Sequence, residues 1–170
     1  MTVRIIGAIM IVIGCSAFGI LIAAAHRKEV KTLQIFLDTL DTMECELQYR
    51  RSPLPALCKV IAQTHIGIVG TFYKNLAQEL ESQIRPSVDA CVQAACSQSG
   101  DIPMLTHELI KIFGRTMGQF DVEGQLQAIR AVRAEGVQRL ESLMHNQDMR
   151  IRSYQTLGVC VGAALAILFI

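Results

Sequence analysis

Apolar residues follow two patterns along this chain, and each predicts a different kind of helix. From Ile5 to Ala25, and again from Ser153 to Ile170, no charged residue interrupts the run. As helices these stretches would reach roughly 31 Å and roughly 27 Å, against a hydrocarbon core of about 30 Å. The second is apolar on every face from Thr156 to Ile170, and a small domain can rarely bury such a helix all round. Both are therefore expected to be transmembrane helices. Ala23, Ala24 and Ala25 would also suit a signal-peptide cleavage site. The run is long for a signal core, however, and Arg4 is the only basic residue ahead of it, which favours an uncleaved span.

Between the two runs, apolar residues recur at helical spacing. Leu33, Phe36, Leu37, Leu40, Met43 and Leu47 form one stripe of a helix continuing from the first run to about Tyr49. Glu44 falls within that stripe. A carboxylate there either pairs with a cation of the bundle or marks a surface covered by a partner. Ser52-Pro53 reads as a helix start, with serine capping and proline in the first helical position. Leu54, Leu57, Val60 and Ile61 then face inward. Gly67 and Gly70 punctuate the next junction, and Val69, Phe72, Leu76, Leu80 and Ile84 form a further stripe stopped near Pro86.

A small-residue helix over about 87–98 ends at Gly100, which suits a left-handed turn. Asp101 is expected to cap the next helix, with Pro103 in its first turn and Leu105, Leu109, Ile112 and Phe113 facing its core. The stretch from Gly114 to Gly118 reads as a helix end and turn, and Gly118 with Asp121 as the last break. From Val122 to about Arg152 the stripe is Val122, Leu126, Ile129, Val132, Gly136, Leu140 and Leu143. Ala131, Ala134 and Gly136 would let this long helix approach a neighbour closely. No segment alternates with period two. The expected fold is all-α, with transmembrane helices in 1–25 and 153–170 flanking a compact bundle of five to six helices in 26–152.

Charge gives the expected fold a direction. Arg27, Lys28 and Lys31 follow the first run and Arg150 and Arg152 precede the second, which places the central domain in the cytoplasm. Overall, 16 basic residues meet 15 acidic ones, so neither a nucleic-acid partner nor an acidic solvating arm is indicated. Arg130, Arg133 and Arg139 read as a solvated helix face. Mean hydropathy of +0.36 is high for a soluble domain. The six cysteines include no CxxC pair and the four histidines are scattered, so no metal and no cofactor is expected.

No Walker lysine loop, GxSxG, HExxH or dinucleotide glycine fingerprint is present. The pairs Glu44/Glu46 and Glu79/Glu81 have no histidine or nucleophile beside them. An enzyme is not expected. The competing reading is a membrane-tethered signalling or phosphate-transfer module that uses His107 or His145.

The run from Glu44 to Leu54, ECELQYRRSPL, resembles the stage III sporulation protein AB family, which carries a similar Glu-x-Glu-(aliphatic)-x-Tyr-x-x-(Ser/Thr)-Pro-Leu run after an N-terminal span. The stretch from Phe113 to Gln125 resembles the family's Leu-Gly…Asp…Gln segment, and the plan of a span at each end also matches. That family is similar to the inner-membrane platform proteins of type II secretion and type IV pilus machines, whose cytoplasmic domains are six-helix bundles. The resemblance implies a non-enzymatic platform in the mother-cell membrane around the forespore. Its implied partners are the stage III sporulation AA-type ATPase, the other members of the sporulation channel complex and membrane lipid, with a homo-oligomer allowed. The residues it singles out are Glu44, Glu46, Tyr49, Pro53, Gly114, Asp121 and Gln125. For the Ser52-Pro53 and Gly118/Asp121 groups, capping and turning helices is an ordinary structural alternative.

Overall fold

The computed structural model describes the backbone of residues 2–50, 52–117 and 123–145, and the side chains of 24–49, 52–117 and 123–145. Five helices run α1 (Thr2–Arg50), α2 (Leu54–Thr64), α3 (Ile68–Ser82), α4 (Val88–Gln98) and α5 (Met104–Met117). A sixth, α6, covers 123–145, and there is no strand among the described residues. Contacts divide the chain into one unit of Glu29–Glu141 and another of Met1–Lys28 with Ser142–Ile170. In the second unit, the described backbone at 2–28 and 142–145 is helical. No helix of the described residues is long and apolar enough to cross a membrane. The expected C-terminal span, 153–170, lies outside the described residues, as do the side chains of 1–23 in the expected N-terminal one.

Local chemistry explains where the helices of the Glu29–Glu141 unit begin. Ser52 does not cap α2. Pro53 is itself the cap residue, with extended backbone (ψ 145°) and no side-chain hydrogen bond, and its carbonyl accepts from the Leu57 amide at 3.1 Å. Pro55 in the first turn has no amide to offer, so one of the groups a serine would have served is missing. Ser87 does cap α4, accepting from the Ala90 amide at 3.2 Å. Asp101 stands outside the start of α5, because Pro103 precedes the helix and its carbonyl accepts from the His107 amide at 2.9 Å. Gly100, at φ +85°, makes the left-handed turn expected after α4.

All six apolar positions of the α1 stripe are buried, from Leu33 to Leu47. Phe36 meets Phe113 of α5 edge to face, with ring centroids 6.5 Å apart. From α3, the fully buried Tyr73 brings its hydroxyl to 2.9 Å from the Thr39 hydroxyl, which in turn donates to the Phe36 carbonyl at 2.6 Å. One consistent chain of donors therefore runs from Tyr73 through Thr39 to the α1 backbone. Burial raises the Tyr73 phenol above its usual range, so it stays neutral.

Two expected core positions face outward. Val60 lies on the solvent side of α2, where Leu57, Cys58 and Ile61 occupy the narrow inward arc. Ile84 lies beyond the end of α3, after Gln83 turns the chain at φ +51°, and is 83% exposed. On α6, Ala131 and Ala134 are exposed, so the close approach belongs to Gly136 alone. A Cβ there would meet Leu37 Cδ2 at 2.5 Å and Leu109 Cδ1 at 3.2 Å.

Candidate functional site

Glu44 is half-buried at the edge of the α1 stripe, and its Oε1 accepts from Arg130 Nε of α6 at 2.6 Å. One turn earlier on α1, Asp41 pairs with Arg133, which donates through Nη2 to Oδ2 at 3.1 Å. The two acids are three residues apart and so are the two arginines, in reverse order, which makes a short ladder between antiparallel neighbours. Further along α6, Arg139 joins Glu108 of α5 at 2.8 Å and Glu135 of its own helix at 2.6 Å. Arg130 and Arg133 are exposed, as expected of a solvated face, and all three arginines are also ion-paired. Each clips α6 to α1 or α5, although pairs this open to water contribute only about 0–1 kcal/mol apiece. Asp41 holds the Arg133 guanidinium above its usual value by hydrogen bonding and charge.

The remaining candidate residues are dispersed. Glu46 is half-buried on α1, Tyr49 is 79% exposed in its last turn, and Pro53 is exposed at the cap of α2. Gly114 opens the last turn of α5, which ends at Met117. It is buried within α5, where a Cβ would meet Val92 of α4 at 3.0 Å. Gln125 of α6 donates from Nε2 to the Met117 carbonyl at 3.5 Å, linking α6 to the end of α5. Asp121 and Gly118 lie outside the described residues. The structure thus gathers Glu44, Glu46, Tyr49 and Pro53 along the end of α1 and the start of α2, and leaves Gly114 and Gln125 in helix-packing positions.

A second region was not singled out by sequence. Between α4 and α5 lies an open cavity of about 340 Å³, lined by Gln93, Cys96, Ser97, Asp101, His107 and Lys111 among others. The signal that marks it in the sequence is the spacing of His107 and Lys111, four apart on one helical face. Burial pushes the Cys96 thiol up to about 11, with the charge of Lys111 working only partly against that. Burial likewise pushes Cys58 up to about 12. No group of three His, Cys, Asp or Glu among the described residues could hold a metal ion.

A family model described as stage III sporulation protein AB (spore_III_AB) matches residues 4–170. No curated protein matches the chain. A solved structure described as "Stage III sporulation protein AB (SpoIIIAB)" is similar with a TM-score of 0.64 and 18% identity, over 72% of this chain and 98% of that one. At that identity the likeness is one of fold.

Proposed function

Because the chain belongs to the stage III sporulation protein AB family, we propose that it is a membrane platform of the sporulation channel between mother cell and forespore. In this reading it catalyses no reaction, and it couples a cytoplasmic AA-type ATPase of the same system to the membrane assembly. Helices in 1–25 and 153–170 cross the mother-cell membrane, and the 26–152 domain stands in the cytoplasm as a bundle like those of type II secretion platforms. The observation that carries the reading is the arrangement of the sequence: two charge-free runs with basic residues on their inner flanks, enclosing a charged helical domain. The ladder of Glu44–Arg130 and Asp41–Arg133 pins α6 against α1, which suits a part that bears load. Glu46, Tyr49 and Pro53 are offered to the ATPase, while Glu44, Gly114 and Gln125 shape the bundle. Asp121 joins them as a family-motif position.

The test uses the full chain in membrane vesicles of known sidedness, with Cys45 as the exposed reporter thiol. Cys58, Cys91 and Cys96 are buried and should stay silent. In a background with Cys15 and Cys160 replaced by serine, a membrane-impermeant maleimide should label Cys45 only from the cytoplasmic face. Labelling only from the opposite face would overturn both the orientation and the ATPase partner. The ATPase should bind these vesicles and change its turnover, and Tyr49→Ala should weaken that binding without lowering the melting temperature. An ATPase that neither binds nor responds removes the coupling role.

A further inference from the structure

Three basic side chains stand in line on α5. His107, Lys111 and Arg115 follow one another at intervals of four residues, so each lies about one turn beyond the last on the same face. Elsewhere in the Glu29–Glu141 unit Lys59 is matched by Glu81, Arg85 by Glu79, and the three arginines of α6 by Glu44, Asp41, Glu108 and Glu135. Lys31 of α1 and Lys74 of α3 stand exposed and singly, with no second cation of that unit four residues along. Lys111 and Arg115 are exposed and have no carboxylate partner among the described residues. The single acid of α5, Glu108, is turned to Arg139. Attraction to the helix C-terminus explains a cation at Arg115 in the last turn, but not one at Lys111 in mid-helix.

The row begins at the cavity between α4 and α5, which His107 and Lys111 line. The amide of Gln93 is already engaged with Asp89 at 2.8 Å, and the Ser97 hydroxyl with the Ala94 carbonyl at 2.7 Å. The side-chain donors left for a visitor are therefore those of His107 and Lys111, with the second amide hydrogen of Gln93. Asp101, the one carboxylate of the lining, is itself partnered.

We propose that this groove docks an acidic segment of a protein partner, a helix whose carboxylates recur at the same four-residue interval. One carboxylate enters the cavity against His107 and Lys111, and the next meets Arg115. A row of cations four residues apart matches carboxylates on successive turns of a helix. The proposal is independent of the platform reading, since it involves neither Tyr49 nor the ATPase.

The experiment uses the full chain in phosphatidylcholine nanodiscs. Two fluorescent alanine-based helical peptides serve as probes, one with glutamates and one with lysines at three positions four apart. The glutamate peptide should bind, its affinity should fall as salt rises, and Lys111→Glu with Arg115→Glu should weaken it by about tenfold or more. The lysine peptide should bind the doubly substituted chain and not the native one. Single Lys111→Ala and Arg115→Ala variants, each removing one exposed charge, carry the same comparison if the double substitution does not fold. Equal binding of both peptides, or indifference to the substitutions, would overturn the proposal. So would binding of phosphatidylglycerol vesicles that depends on Lys111 and Arg115 when the glutamate peptide does not bind.

Discussion

Gly114 of α5 packs directly on Val92 of α4, so that a Cβ at position 114 would meet Val92 Cβ and Cγ1 at 3.0 Å and Cγ2 at 3.2 Å. Val92 is fully buried and branched at Cβ, so it cannot rotate away and the helices themselves must separate. Overpacking of this kind costs about 1–3 kcal/mol, against a gain of about 0.5–1 kcal/mol for replacing a helical glycine by alanine. Gly114→Ala should lower the melting temperature by a few degrees. Combined with Val92→Ala, it should cost less than the sum of the two single changes. Strict additivity in that thermal-melt cycle would mean that the two residues do not oppose each other.

The Tyr73–Thr39 pair makes a second coupled system. Thr39→Val keeps the shape but leaves the buried phenol facing only the Met43 sulfur, at 3.8 Å. An orphaned polar group of this sort costs about 1–3 kcal/mol, and Tyr73→Phe alone about 0.5–1.5 kcal/mol. The double variant should cost less than their sum, as read from urea unfolding midpoints.

Glu44 is the family-motif residue whose role the structure bears on most directly. With its carboxylate on Arg130, Glu44→Gln should cost no more than about 1 kcal/mol, and its coupling to Arg130→Ala should be about 0.2–1 kcal/mol and shrink in high salt. If Glu44→Gln instead unfolded the domain, the pair would have to be part of the core and not a clip at its edge.

Glu79 gives the fold a pH dependence with a defined sign. Arg85 Nε and the Gln98 amide each donate to it at 2.8 Å and hold its carboxyl below the ordinary value of 4.5. A value lower in the folded than in the unfolded chain adds stability above the unfolded value, and that stability is lost as pH falls through the folded one. The stability difference between the native chain and Glu79→Gln should therefore hold steady above about pH 5.5 and close as pH drops below about 4.5. A difference that widens in acid would reverse the sign of the interaction.

How much of this could be read from the sequence differs between helices. The α1 stripe was fully legible, because six apolar positions at helical spacing leave one face to bury, and all six are buried. Val60 and Ile84 were misplaced for a different reason. In an eleven-residue helix the inward arc holds few positions, and a stripe extended by pattern alone runs past a helix that Gln83 has already ended. The Ser52 cap failed because Pro55 removes an amide from the first turn, a feature visible in the sequence but outweighed by the Ser-Pro signal. The arginines of α6 could not be assigned from α6 alone, since their acids lie on α1 and α5. The α4–α5 cavity needed the packing of two helices before His107 and Lys111 could share a wall with Gln93 and Ser97.

The ladder between α1 and α6 has a consequence for the order in which the molecule is made. Arg130 and Glu44 are 86 positions apart, and Arg133 and Asp41 are 92 apart. A chain emerging from the ribosome with its amino end first holds Leu37 and Leu109 with one side open until Gly136 arrives to close over them. Closing so long a loop is slow compared with joining neighbouring helices. During that interval the nascent chain exposes an apolar seam, and a strand of translation halted before α6 would leave that seam permanently open to chaperones or proteases.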